Sequence, residues 1–311
     1  MKHTIKHISS VLLLLAISTQ SAMAYDRPGN STAQFLKMEL TPAGAAMAGS
    51  YIMHSRGAES AIYNPAAMIL VNGSSVTVNH TEWFANISLD FVSSVIDLNS
   101  YGALGLSLTS FYTDQMLVRT PLQPEGTGET FGVVHNRFGL SYAKGLTDHV
   151  SFGATASYIR MHLFSGKDQS AVSSDIAALY RTDERDFSFG LKIANFGSSV
   201  TFVEKDYPLP LNFTFGLGMN ALEFKNQVLY MSITGSKPSG GETILSSGAE
   251  WKWADRVFIR GGYKFNHDLE SYSIGAGLEI PLGGRKLTIN WSMSDYAQMG
   301  VTNRIGMDFQ L

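Results

Sequence analysis

The sequence predicts an all-β protein: a transmembrane antiparallel β-barrel of about fourteen strands, preceded by a small N-terminal hatch or plug segment containing short helices. Three observations carry this expectation. Apolar and polar residues alternate through most of the chain after residue 72, at the period of two that a strand imposes. The polar parity is made mostly of Gly, Ser, Ala, Thr and Asn rather than Lys and Glu. After residue 24 no apolar run approaches the roughly 20 residues of a spanning helix, so any membrane location has to be reached with strands.

Composition agrees. Of 311 residues only 16% are charged against 44% hydrophobic, with 30 glycines and no cysteine. A disulfide scaffold is therefore excluded, and a disordered chain is not expected. A mean hydropathy of +0.02 is what two opposite strand faces give when averaged. The net charge of -3 offers no basic stripe, so no nucleic acid is expected as a partner.

Taken in order, residues 1–24 read as a secretory signal peptide. Lys2 and Lys6 supply the positive start, Val11 to Ile17 a short apolar run, and Ala22-Met23-Ala24 a small-residue cleavage site. Residues 25–72 lack the strand pattern and form the expected hatch. Ala43 to Ser50 is rich in small residues, and Glu59 to Met68 reads as a turn into a short helix, with Asn64 as N-cap and Pro65 at the first helical position. Such a segment must lie in the lumen, across its mouth or in the periplasm, and its small residues favour close packing inside.

Residues 73–311 are the expected barrel. Leu211, Phe213, Phe215, Leu217 and Met219 interleave with Asn212, Thr214, Gly216, Gly218 and Asn220; Leu287, Ile289, Trp291 and Met293 interleave with Thr288, Asn290, Ser292 and Ser294. A soluble sandwich would carry charge on its polar face. Short polar side chains suit a crowded lumen, and the aromatic and aliphatic parity suits lipid. Strands are expected at 74–82, 86–96, 102–112, 136–145, 149–162, 171–181, 186–196, 209–219, 227–235, 242–252, 256–264, 272–281, 286–295 and 302–311.

Connections should alternate between tight periplasmic turns and longer extracellular loops. Asn99-Ser100-Tyr101, Leu146-Thr147-Asp148, Asp183-Glu184, Ala254-Asp255 and Gly283-Gly284 are turn-like. Thr113 to His135 and Phe196 to Pro208 are the longest loops. The eighth connection, Asn220 to Asn226, is longer than the rule expects. The alternation puts both chain ends in the periplasm. Ile305, Met307, Phe309 and Leu311 share one parity up to the last residue; they resemble the C-terminal strand by which outer-membrane barrels are recognised for insertion, although those usually end in an aromatic residue.

No catalytic chemistry is expected. Gly139-Leu140-Ser141-Tyr142-Ala143 lacks the final glycine of a nucleophile elbow and lies in a strand. His54, His80, His135, His149, His162 and His267 show no metal-ligand spacing. Gly216-x-Gly218 and Gly275-x-Gly277 do not continue into a dinucleotide fingerprint; in strands they mark close backbone approach, curvature or room for the hatch. No cofactor or metal is called for.

Four segments carry a family resemblance: Ala33-Gln34-Phe35-Leu36-Lys37, Ala45-Ala46-Met47 with Gly49, Ala61-Ile62-Tyr63-Asn64-Pro65-Ala66, and His80-Thr81-Glu82-Trp83. Together with Gly126-Thr127-Gly128, Leu140-Ser141-Tyr142-Ala143, Gly262-Tyr263-Lys264-Phe265 and Asn303-Arg304-Ile305-Gly306-Met307, they resemble the PorV/PorQ family of outer-membrane proteins. This family is similar in turn to FadL-type fatty-acid transporters, fourteen-stranded barrels whose hatch also holds an Asn-Pro-Ala segment. The chain departs from the family pattern at Gly44, where an Arg is usual, at Met47-Ala48-Gly49 and at Ala67.

The resemblance implies a bacterial outer-membrane location and a structural or gating hatch motif of Asn64, Pro65, Ala66, Met47 and Gly49. It implies outer-membrane lipid and, during insertion, the barrel-assembly machinery as partners. It also implies one of two roles: a protein-interaction or type IX-like secretion barrel that meets secreted proteins or secretion components, or a FadL-like channel that takes up a hydrophobic ligand. The longest loop, at about 23 residues, is too short to build a domain of its own, which favours interaction over hydrophobic capture.

Overall fold

The computed structural model describes residues 29–162, 168–202, 205–267 and 269–311; the expected signal peptide lies outside the described residues. Fourteen antiparallel strands close into one barrel. They are β1 (Ser74–Glu82), β2 (Ile87–Asp97), β3 (Ala103–Thr113), β4 (Val134–Gly145), β5 (Val150–His162), β6 (Asp168–Arg181) and β7 (Ser188–Gly197), then β8 (Asn212–Phe224), β9 (Gln227–Pro238), β10 (Ile244–Trp253), β11 (Val257–Phe265), β12 (Tyr272–Leu282), β13 (Arg285–Asp295) and β14 (Val301–Gln310). Each strand pairs with its neighbours in sequence, and β1 pairs with β14 from Ser75↔Gln310 to Glu82↔Asn303. Closure leaves no free edge to aggregate, and every strand can satisfy its backbone in lipid.

The alternation read from sequence divides the two faces. Val78, Leu106, Phe138, Leu140, Met231 and Ile233 are exposed on the outside, as are Phe213, Phe215 and Leu217, while Thr77, Ser141, Thr214, Ser292 and Thr302 are buried inside. An exposed apolar wall on a closed barrel is the surface of a protein that sits in a bilayer. Ile305, Met307, Phe309 and Leu311 all point outward. Leu311 falls just beyond β14, yet its N–H still donates to the Ser74 carbonyl and so helps close the seam.

One expectation about connections is corrected. The eighth is a tight turn at Lys225-Asn226, because β8 continues to Phe224 through a register shift between Asn220 and Leu222. The extra residue of a bulge breaks the period of two, which is why the strand pattern stops early in the sequence. The loop of 198–211 is not a free extracellular arm: its two-stranded ribbon (Val200–Phe202 with Lys205–Tyr207) turns Val200 inward, and Leu209 is buried with it. The loop of 114–133 carries a second ribbon, Met116–Leu117 with Thr130–Phe131.

The hatch fills the lumen; the N-terminal end itself, expected in the periplasm, lies outside the described residues. Thr32 N donates to the Pro208 carbonyl in the mouth loop, and Phe35 packs beside Ile159, Met161, Ala171 and Leu209 at the same end. From there the segment descends to Leu70 and Val71 before β1 starts at the opposite end. The first described residues thus lie at the extracellular mouth, whereas Leu311 is at the periplasmic end. Strand alternation fixes only where β1 begins and says nothing of a preceding segment that doubles back through the lumen.

Glycines in the wall admit the hatch. A Cβ at Gly262 would stand 2.4 Å from the Met47 backbone, and one at Gly216 would meet the Met53 sulfur at 2.5 Å. Small residues on both partners let backbone approach wall, and Ala45, Ala46, Ala58, Ala61 and Ala66 are all fully or nearly fully buried in consequence.

Candidate functional site

Asn64 organises the lower half of the hatch. Its Oδ1 accepts from the Ala66 N–H at 3.1 Å, capping a 3-10 helix over Pro65–Leu70 that begins with Pro65 at its first position. Its Nδ2 donates to the Ile52 carbonyl at 2.9 Å, tying two hatch segments together. Ala66 is fully buried, and its carbonyl accepts from Ser151 Oγ at 2.9 Å. Met47 is also buried against Gly248 and Gly262, while Gly49 adopts a φ of 78° beside the Glu39 carboxylate. These five residues therefore belong to one plug. The C-terminal strand residues lie outside it, on the lipid face.

Above the plug, on the extracellular side, is a cavity of about 190 Å³. Phe35, Leu36, Met38, Leu40, Ile52 and Ile62 of the hatch give it an apolar floor and side. The barrel contributes a charged cluster. Arg137 of β4 donates through Nη2 to Asp175 of β6 at 2.9 Å, and Lys192 of β7 lies 3.6 Å from the same carboxylate. Asp175 also accepts at 2.8 Å from the N–H of Asn195. That donor is free because Ala194 and Asn195 form a bulge opposite Asp175, with Asn195 at φ 61°. Lys192 Nζ donates to the Ile62 carbonyl, linking wall to hatch. Two buried cations thus share one carboxylate at the edge of an apolar chamber.

A gate of rings lies over this chamber. Phe111 and His135 stack with centroids 5.5 Å apart, and Phe35 lies 5.5 Å from His135 and 6.0 Å from Phe111. Phe35 comes from the hatch, so movement of the hatch would open the ring cluster.

Below the plug a second cavity of about 270 Å³ faces the periplasm. Here Glu250 of β10 is the anchor. Arg56 Nη2 lies 2.9 Å from it, Arg260 Nε donates to it at 2.7 Å, and His54 Nε2 is 3.0 Å away. The His54 ring stacks on Tyr230 at 3.7 Å. Burial first, and the adjacent Arg56 second, lower the His54 pKa to about 4, so the imidazole is neutral at physiological pH.

On the outer wall, β1 to β6 form an apolar groove of about 650 Å³, lined by Val76, Val92, Leu106, Phe138 and Leu140 among others. Behind it the lumen parity is Ser93, Ser107, Gly139 and Ser157, so the wall is thin there. The ladder between β2, β3 and β4 is nonetheless complete.

Sequence reading found the hatch motif but missed Arg137, Asp175, Lys192, His54, Arg56, Glu250 and Arg260. The wall residues did carry a signal: each is a charge in the parity given mostly to Gly, Ser and Thr. A charge buried inside must be paired, so such positions point to one another. Among the described residues no group of three His, Asp or Glu side chains could hold a metal ion.

No family model matches the sequence, and no curated protein matches it significantly. Solved structures do match. The toluene transporter TodX of Pseudomonas putida superposes with a TM-score of 0.59 at 12% identity, over 88% of this chain and 97% of its own. The toluene transporter TbuX of Ralstonia pickettii gives 0.57 at 13%, over 87% and 97%. A FadL homologue of Pseudomonas aeruginosa gives 0.50 at 13%, over 87% and 96%. The chain has the fold of these outer-membrane barrels, with fourteen strands and a hatch in the lumen.

Proposed function

We propose that this protein is an outer-membrane channel for a hydrophobic small molecule, which enters past the ring cluster, rests in the upper cavity and leaves when the hatch moves. The observation that carries this reading is the chamber between hatch and wall, apolar on one side and cationic on the other. A dry cavity of about 150 Å³ is enough to bind benzene, so this one admits a single ring or a short alkyl chain. The likeness to toluene transporters supports the same reading. The groove over the thin wall at Ser107 and Gly139 offers a second exit, into the membrane.

A protein-facing role of the PorV/PorQ kind ranks second. One observation favours it: Leu122, 93% exposed, with Met116 and Leu117, makes the ribbon loop apolar at its tip. Native mass spectrometry of the protein purified in mild detergent separates the two. Bound hydrophobic compounds of about one ring support the channel. A stoichiometric protein partner with no small molecule would overturn it.

A further inference from the structure

The periplasmic cavity holds more negative charge than its cations can neutralise. Arg181 pairs with Asp186, and Lys286 with Glu279 at 3.0 Å. Arg56 and Arg260 both serve Glu250, and Arg260 also donates to Asn290 at 2.7 Å. Glu59 of the hatch and Asp308 of β14 line the same cavity with no cation of their own. The lining holds four cations and four carboxylates, and Glu250 behind it takes both Arg56 and Arg260, so the four cations serve five carboxylates and one negative charge is in excess.

The unbonded atoms point to the same two residues. Glu59 is 2% exposed, and its Oε1 has no hydrogen-bond partner. Asp308 accepts from Asn290 Nδ2 at 2.7 Å through one oxygen, leaving Oδ1 without a partner. Glu59 sits on the turn Gly57–Glu59, whose Ala58 N–H donates to Ser75 Oγ of β1 at 3.0 Å. The groups facing it are Asp308 and Arg260 from the wall and Tyr51, Tyr63 and Thr41 from the hatch. From β1 and β2 the turn meets Ser75 and Val95, which are uncharged.

We propose that Glu59 and Asp308 form a proton-controlled fastening between hatch and barrel wall, in which a proton held by the pair keeps the hatch seated and its loss drives the hatch out. An unpaired buried carboxylate is costly, and a like charge opposite makes it more so. Protonation removes the excess charge and supplies an O–H donor for an oxygen that lacks one. Burial, then Asp308, raise the Glu59 pKa to about 8. Since the docked value exceeds that of the exposed group, the contribution of the pair to docking is greatest below the ordinary carboxylate range. It weakens as pH rises from there through about 8. His54 and Arg56 hold the hatch at Glu250 independently of this proton.

The chain has no cysteine, so Ser60→Cys in the full-length protein puts a single thiol on a buried hatch position. Its labelling rate by a small water-soluble maleimide is followed from pH 6 to pH 9, with Glu59 and with Glu59→Gln. Thiol ionisation is common to both, so the ratio isolates Glu59. The ratio is expected to rise at least about tenfold over that range; a flat ratio overturns the proposal. Asp308→Asn serves the same comparison if Glu59→Gln fails to give a heat-modifiable barrel. Planar-bilayer conductance of the unsubstituted protein should rise over the same pH interval, and a constant conductance also overturns the proposal. Neither readout depends on binding of a hydrophobic ligand, so failure of the channel reading would leave this result standing.

Discussion

Gly153 of β5 lies against the peptide joining Pro65 to Ala66. A Cβ there would stand 2.4 Å from the Ala66 nitrogen and 2.7 Å from the Pro65 carbonyl oxygen. Hatch and wall meet main chain to main chain at this point, with no side chain able to give way. Gly153→Ala is therefore expected to displace the Pro65–Leu70 turn at a cost of about 1–3 kcal/mol, the usual range for overpacking. Thiol labelling of Ser60→Cys should accelerate in this background, and an unchanged rate would refute the contact.

Asn64→Ala removes the acceptor for Ala66 N–H and the donor to Ile52 O together. Both partners are buried, so each lost bond leaves an unsatisfied group worth about 1–3 kcal/mol. The hatch should loosen while the barrel stays heat-modifiable on gels. If barrel and hatch failed together, Asn64 would be holding more than the plug.

Phe215 faces outward beside Thr214, which faces in. Phe215→Arg should cost about 2–4 kcal/mol near the bilayer midplane and reduce membrane insertion, whereas Thr214→Ser should be tolerated. Equal tolerance in an insertion assay would reverse the assigned faces.

His54 sets an acid limit on hatch docking. Its docked pKa, about 4, is below the ordinary histidine value, so the released hatch binds the proton more readily. The contribution of His54 to docking is fully present above about pH 6.5 and is lost as pH falls through about 4. His54→Gln should abolish this acid loosening when the labelling is extended down to pH 4, leaving the alkaline limb due to Glu59. An acid limb that persisted would show that another group carries it.

A substitution tests the chamber itself. Ile62 lines the upper cavity and is nearly buried. Ile62→Trp should fill much of the roughly 190 Å³ and abolish binding of ring-sized compounds. Unaltered binding by the heat-modifiable variant would place the ligand elsewhere.

Much of the barrel is legible because a strand between lipid and lumen writes its two environments into alternate residues. Phe213-Thr214-Phe215-Gly216-Leu217 can be read without any partner. Legibility fails where one residue is added. The bulge near Asn220 hides the end of β8, and the one at Ala194-Asn195 aims an N–H at Asp175 that no pattern announces. Asn64 and Pro65 are readable as a cap because capping is local, involving atoms two residues apart.

By itself the sequence determined an even, closed, lipid-facing barrel and a capped turn ahead of it, since both depend on neighbours along the chain. Only the tertiary structure decided that the first described hatch residues lie at the extracellular mouth. It alone brought Arg137, Asp175 and Lys192 to one cavity and set Glu59 opposite Asp308, 249 residues apart in sequence. Those arrangements depend on which strand each lumen charge occupies and how far along it, and that placement appears only when fourteen registers are closed around a plug.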